Sequence, residues 1–226
     1  MSAAVLSPHL DDAVLSAFSA LPARVVNVCT GLPPAGTLTS WDRVCGARDS
    51  RAHMEERLEE DRAALAIAGV AEPLSLGFLD VQYRTGPLDA DELRRAVEAA
   101  AADAAEVWAP AGIGDHRDHL QVRDAAIALG LPLRLYAELP YAVKFGWPAW
   151  VTGEEADPNL VPDGGWSLPD GAGEPTIHRL SEDRLQLKLQ ALRRYRTQFS
   201  ALSRGKLGHI AHPSVIGFEV SWEFPT

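Results

Sequence analysis

Ser7-Pro8-His9-Leu10-Asp11-Asp12 stands between the short apolar run Ala3-Ala4-Val5-Leu6 and a helix-like stretch from Ala13 to Ala20. A histidine and two carboxylates therefore share one strand-to-helix turn, the place where α/β proteins commonly keep their chemistry. About a hundred residues later, Gly114-Asp115-His116-Arg117-Asp118-His119 follows another β-like run, Glu106 to Ala109. Together the two turns read as one divalent-metal site.

Outward from these turns, β-like and helix-like runs alternate, the pattern of a mostly parallel sheet flanked by helices. Further strands are expected at Val25 to Cys29, Pro73 to Phe78 and Leu133 to Leu139. Helices are expected over His53 to Ala68, stopped by Gly69, over Asp91 to Ala102, capped by Asp89, and over Leu120 to Leu129, ending at Gly130. The alternation then breaks. Residues 144–175 are rich in Gly, Pro and Trp, including Trp147, Trp150 and Trp166, and read as a substrate-facing insertion. A helix capped by Ser181 follows, with Leu185, Leu189, Leu192, Tyr195, Phe199 and Leu202 on one face, and Val215 to Phe224 alternates as an antiparallel or edge strand.

A chain of 226 residues with 46% hydrophobic composition can bury one sizeable core, so residues 1–226 are expected to form a single domain. A formal net charge of −10 argues against a nucleic-acid partner, which needs clustered Lys and Arg. Only two cysteines, Cys29 and Cys45, are present, without CxxC spacing, which fits a reducing cytoplasmic setting. No run approaches the roughly 18 apolar residues of a membrane span, and no signal peptide is seen.

Imidazole and carboxylate suit zinc, and a hydrolytic zinc site combines three protein ligands with an open position for water. His9, one of Asp11 and Asp12, and one or both of His116 and His119 supply such a set. Spacing does not decide between the aspartates, but it implies a division of labour: one binds the ion, and the other accepts a proton from metal-bound water. His116 and His119, three apart on a first helical turn, project to one side. Asp118 is placed to hold an imidazole in one tautomer. Asp11, Asp12 and Asp118 are also ordinary helix caps, and Arg57 has an alternative in an exposed i,i+4 pair with Asp61. Asp80 has an ordinary alternative as the start of a turn.

Pro8-His9-Leu10-Asp11-Asp12 with His116-Arg117-Asp118-His119 resembles the PIG-L/LmbE-like family of zinc-dependent N-acetylglucosaminyl deacetylases, over Ala3 to about Leu139. The resemblance implies a Rossmann-like fold with His9, Asp12 and His119 as ligands to Zn2+, or Fe2+ in its place. It implies Asp11 as general base and His116 as oxyanion stabiliser or acid, tuned by Asp118. It also places Arg57 and Asp80 around the sugar. Leu10 and Ala13 depart from the proline and glutamate of many relatives, and Gly114 stands where some carry tyrosine, so no tyrosine-assisted step is implied.

The expected activity is release of acetate from an N-acetylated amino sugar or glycoconjugate. The competing readings are an amidase of the same fold acting on a non-sugar or S-conjugate amide, and a sugar-binding module without chemistry. His53 and His178 read as surface residues, and His209 and His212 as packed or exposed. A homo-oligomer is compatible with the sequence.

Overall fold

The computed structural model describes residues 2–144, 168–202 and 213–225. Strands β1 (Ala3–Ser7), β2 (Arg24–Asn27), β3 (Leu74–Ser75), β4 (Glu106–Pro110), β5 (Leu133–Tyr136), β6 (Pro175–Arg179) and β7 (Phe218–Phe224) form one sheet in the order β3-β2-β1-β4-β5-β7-β6. The first five are parallel, and β7 runs antiparallel to both β5 and β6. The α-helices among the described residues are α1 (Asp12–Ser16), α2 (Ser40–Val44), α3 (Ser50–Ile67), α4 (Ala90–Ala101), α5 (Arg117–Ile127), α6 (Tyr141–Lys144), α7 (Glu182–Leu192), α8 (Arg196–Leu202) and α9 (Pro213–Ile216), with short 3-10 turns at Phe18–Ala20 and Val81–Tyr83.

Because the inner strands are covered on both faces, they are apolar at successive positions rather than at alternate ones. Ala4, Val5 and Leu6 of β1, Val25 and Val26 of β2, and Val107 and Ala109 of β4 have no exposed surface. From β1 the chain steps outward to β2 and β3, then returns to the other side of β1 as β4. The crevice at the carboxyl ends of β1 and β4 is thus the point where strand order reverses, and both motifs lie on the turns that border it.

Several expected boundaries shift. β3 is cut to two residues, with Pro73 offering no N–H before it and Gly77 turning at a φ of 79° after it. β5 stops at Tyr136, which leaves Glu138 to reach back toward the loop after β4. α3 starts earlier than expected because Asp49 caps it, accepting from Ala52 N at 2.9 Å. The motif residues Arg117, Asp118 and His119 lie inside α5, which begins before Leu120. The expected long helix from Ser181 is two helices, α7 and α8. Glu60 of α3 takes the Thr197 backbone N–H at 3.2 Å and its hydroxyl at 2.7 Å, capping a new start. Strand β7 is not at the edge: Pro175–Arg179, which begins at the end of the expected insertion and is not among the expected strands, pairs outside it. Residues 145–167 of that insertion, with Trp147, Trp150 and Trp166, lie outside the described residues, as do His209 and His212.

A buried ion pair joins the two ends of the chain. Lys188 Nζ of α7 lies 2.6 Å from Glu219 Oε1 of β7, and Glu219 also accepts from the backbone N–H groups of Phe18 at 2.9 Å and Ser19 at 2.7 Å. Both side chains are fully enclosed, so each group depends on the other for compensation of its lost hydration.

Candidate metal centre and active site

β1 delivers His9 to the crevice and α1 begins at Asp12. Ser7 braces this turn, donating to the His9 carbonyl at 2.6 Å and accepting from Ala13 N at 3.0 Å. Asp12 Oδ2 turns back to accept from His9 N at 2.8 Å. On the facing turn, His119 sits in the first turn of α5 with its ring buried.

Three donor atoms meet there. His9 Nδ1 and His119 Nε2 are 3.1 Å apart, and each lies 3.3 Å from Asp12 Oδ2. Ligands at zinc bond lengths of about 2.0–2.1 Å in tetrahedral array stand about 3.3 Å from one another, so this triangle has the size that such an ion requires. The ring nitrogens pointing away from it are fixed by carboxylates. His9 Nε2 meets Asp118 Oδ2 at 3.1 Å, and His119 Nδ1 meets Glu138 Oε1 at 3.2 Å. A carboxylate only accepts, so with a cation in the triangle the distal nitrogens would keep their protons and the triangle nitrogens would turn lone pairs to the ion.

His116, the N-cap residue of α5, has a donor nitrogen within 4.8 Å of those of His9 and His119, outside the triangle but beside its open side. Its Nδ1 is buried without a partner. Cys29 also lies within that distance of His9 and Asp118. Asp118 is already committed there, accepting from Val81 N at 3.0 Å and from Arg84 Nη2, so this second group braces His9.

Charge follows the same plan. Burial alone would push the His119 imidazole down, yet Asp12 and Glu138 hold it up at about 9. His9 is likewise held well above its ordinary value, against burial, by Asp80, Asp118 and Asp12. Against the same penalty, His119 and His9 hold Asp12 well below the usual carboxylate range. A pocket that draws protons onto two imidazoles has the negative potential that a divalent cation would satisfy. His116 behaves oppositely: burial, then the charges of His9 and His119, bring it down to about 4. Asp11 occupies the N-cap position of α1 but makes no capping bond, and burial followed by the charge of Asp12 raises its carboxyl. It faces a cavity of about 360 Å³, also bordered by His9, Asp12, Arg57, Asp80 and His116.

No family model matches the chain. A curated relative, a 2'-N-acetylparomamine deacetylase of Streptomyces fradiae, is 35% identical over 158 residues, which is 61% of this chain and 57% of the relative. Among solved structures, the deacetylase of the antimicrobial A40926 pseudoaglycone superposes with a TM-score of 0.73 at 28% identity, covering 98% of this chain and 96% of its own. A zinc-inhibited form of a teicoplanin deacetylase gives 0.74 at 25%, covering 99% and 97%. The chain is similar to these deacetylases in sequence and fold. It shares their mostly parallel, helix-flanked sheet over nearly its whole length, in keeping with the PIG-L/LmbE-like resemblance of its two motifs.

The crevice gathers His9, Asp11, Asp12, His116, Asp118 and His119, with Arg57 and Asp80 on the cavity wall. Four details differ from the sequence reading. Asp118 hydrogen-bonds to His9 instead of tuning His116, because the first turn of α5 aims it at β1. Arg57 is no exposed partner of Asp61: it is 4% exposed, and Asp61 is engaged by Asn27 and Tyr195. Asp80 also starts a turn, accepting from Gln82 N at 3.0 Å. His53 is buried, 3.0 Å from the Gln198 amide, where a surface position was expected. His178 is half-buried and pairs with Ser221 at 2.8 Å.

Glu138 and Arg84 were missed. Glu138 had a legible signal, a lone acid inside the apolar run Leu133 to Leu139. It also accepts from Gly112 N at 2.6 Å and Ile113 N at 3.2 Å, where Gly112 turns at a φ of 90° that favours glycine. Glu138→Gln is expected to weaken divalent-ion affinity about 10- to 100-fold, because the charge that holds the His119 ring is lost and the amide NH2 must oppose either the Ile113 N–H or both the Gly112 N–H and the His119 ring. Competition against a chelator of known affinity measures this, and unchanged affinity would remove Glu138 from the ion's support.

Proposed function

We propose that this chain is a metal-dependent N-deacetylase acting on an N-acetylated amino sugar or glycoconjugate, with His9, Asp12 and His119 as ion ligands. The observation that carries this reading is the triangle of three donors with an uncapped, unligated Asp11 beside it in the cavity. Zinc suits this donor set, and iron(II) is the alternative ion that availability in the cell would select.

When bound, a divalent cation supplies a water acid enough to ionise near neutrality and polarises the acyl carbonyl. Asp11 accepts the proton from the attacking water, a role open to it because its carboxylate is not spent on capping α1. His116 lies on the open side of the triangle and directs its ring N–H to the developing oxyanion or to the departing amine. Asp118 and Glu138 hold the His9 and His119 rings in register. Arg57 and Asp80, from opposite ends of the α3 to β3 region, receive hydroxyl groups of the sugar.

The similarity to deacetylases of 2'-N-acetylparomamine, the A40926 pseudoaglycone and teicoplanin supports the substrate class. A pure binding module has no use for a free carboxylate at this position. Among the described residues no helix is long and apolar enough to cross a membrane. Both cysteines are unpaired, which fits action in a reducing compartment. The test is acetate release from a panel of N-acetylated amino sugars. We expect turnover that is lost on exhaustive chelation and restored by zinc or iron(II). Turnover that persists in protein shown to be free of metal would overturn the reading.

A further inference from the structure

We propose that Trp41 is a specificity-determining residue, its indole a fixed platform on which a ring of the amine-bearing part of the substrate stacks. This deepens the deacetylase reading and rests on it for which part of the substrate is the amine. The indole lines the cavity and is half-buried, yet Trp41 belongs neither to the hydrophobic core nor to the apolar side chains packed against it. A large aromatic group that covers no core and borders a cavity has its face available to a ligand.

The element that carries it is too short to hold itself. α2 has five residues, and isolated turns of helix are not stable in water. Instead α2 is tied to its surroundings by polar contacts on three sides. Thr39, its N-cap, donates to Gln82 Oε1 at 2.7 Å. Asp42 accepts from Tyr83 OH at 3.0 Å. Trp41 Nε1 reaches Gln198 Oε1 of α8 at 3.4 Å, and the Gln198 amide nitrogen is held 3.0 Å from His53 Nε2 of α3. Gln198 is buried and also borders the cavity, so this relay ties the edge of the indole to α8 and α3.

The chemistry of the wall points to the class of ligand. An indole face suits the C–H face of a pyranose or the face of an aromatic ring. Asp80, Gln82 and Arg57 border the same cavity with groups suited to ring hydroxyls. At about 360 Å³ the space is near the lower end of small-molecule sites, which span about 300–1,000 Å³, and matches a ligand of one or two rings. An acyclic amide of the same length would reach the triangle but leave the indole uncovered.

The experiment compares ring and open-chain probes in binding and turnover. Calorimetry measures glucosamine against ethanolamine, both free of any acyl group to turn over, and kinetics compares N-acetylglucosamine with N-acetylethanolamine. In the wild type the ring probe should bind measurably tighter than the open-chain probe. Trp41→Ala should weaken glucosamine binding and raise KM for N-acetylglucosamine about tenfold, with the open-chain probe nearly unaffected. Trp41→Phe, which keeps an aromatic face, should recover much of the difference. Gln198→Leu, which keeps the bulk but frees the indole, should give an intermediate loss with the same bias toward the ring probe. Equal losses on both probes, or no ring preference in the wild type, would overturn the proposal. If no amide releases acetate while ring-selective binding still depends on Trp41, the deacetylase reading fails and the platform stands.

Discussion

Asp11→Asn is expected to lower kcat about a hundred- to ten-thousand-fold, the range that a positioned general base contributes, while the metal bound per chain stays as in the wild type. The two aspartates are neighbours in sequence, but the turn separates them. Asp12 points its Oδ2 at His9 and His119, whereas Asp11 makes no capping bond and borders the cavity. The substitution keeps the shape of the side chain and removes only its capacity to take a proton. Elemental analysis of the purified variant together with steady-state kinetics separates the outcomes. Wild-type turnover would remove Asp11 from the proton transfer, and loss of the ion would make it a ligand.

The second large effect concerns stability and is governed by Asp61. This carboxyl lies under the site between α3, β2 and the joint of α7 and α8, accepting from Asn27 Nδ2 at 2.6 Å and Tyr195 OH at 2.8 Å. Burial drives its pKa up to about 7, more than those two hydrogen bonds bring it down. In the unfolded chain it titrates near 3.9. Between about pH 4 and pH 7 the folded chain therefore holds a proton that the unfolded chain has released, and stability falls as pH rises through that window. Above pH 7 the full cost applies, on the order of 4 kcal/mol. Asp61→Asn should leave stability near pH 4 almost unchanged and raise it by up to that amount at pH 8. Asn27 Oδ1 is buried without a partner, so turning the Asn27 amide over would present an acceptor to the new NH2 group. Urea titrations at the two pH values measure the effect. An equal change at both would show that Asp61 is ionised throughout.

How much of this was legible in the sequence depends on which interactions are local. The parallel strands are read well because burial on both faces leaves a continuous apolar signature in Ala3 to Leu6 and Glu106 to Ala109. Both motif turns, and the gathering of their histidines and aspartates at one crevice, follow from strand-to-helix alternation. What sequence hides is which distant group answers each motif residue. The family resemblance implies that Asp118 tunes His116, but α5 turns it toward His9, on the turn after the neighbouring strand. Arg57 fits an exposed helical pair by spacing, and only the packing of α3 against the crevice shows it buried. The break between α7 and α8 carries no proline or glycine, since the cause is Glu60, far away in the chain. Strand β6 has mostly exposed side chains and so lacks the apolar signature by which its neighbours are recognised.

The carboxylate of Glu219 ties the last strand to the segment that leaves α1, some two hundred residues earlier. Damage at the far end of the polypeptide would therefore be transmitted to the loop that presents the first cluster of ligands. Losing β7 would strand the Lys188 ammonium in an apolar interior and unfasten Phe18 and Ser19 together, so the geometry of the opening motif depends on a strand laid down last in the chain.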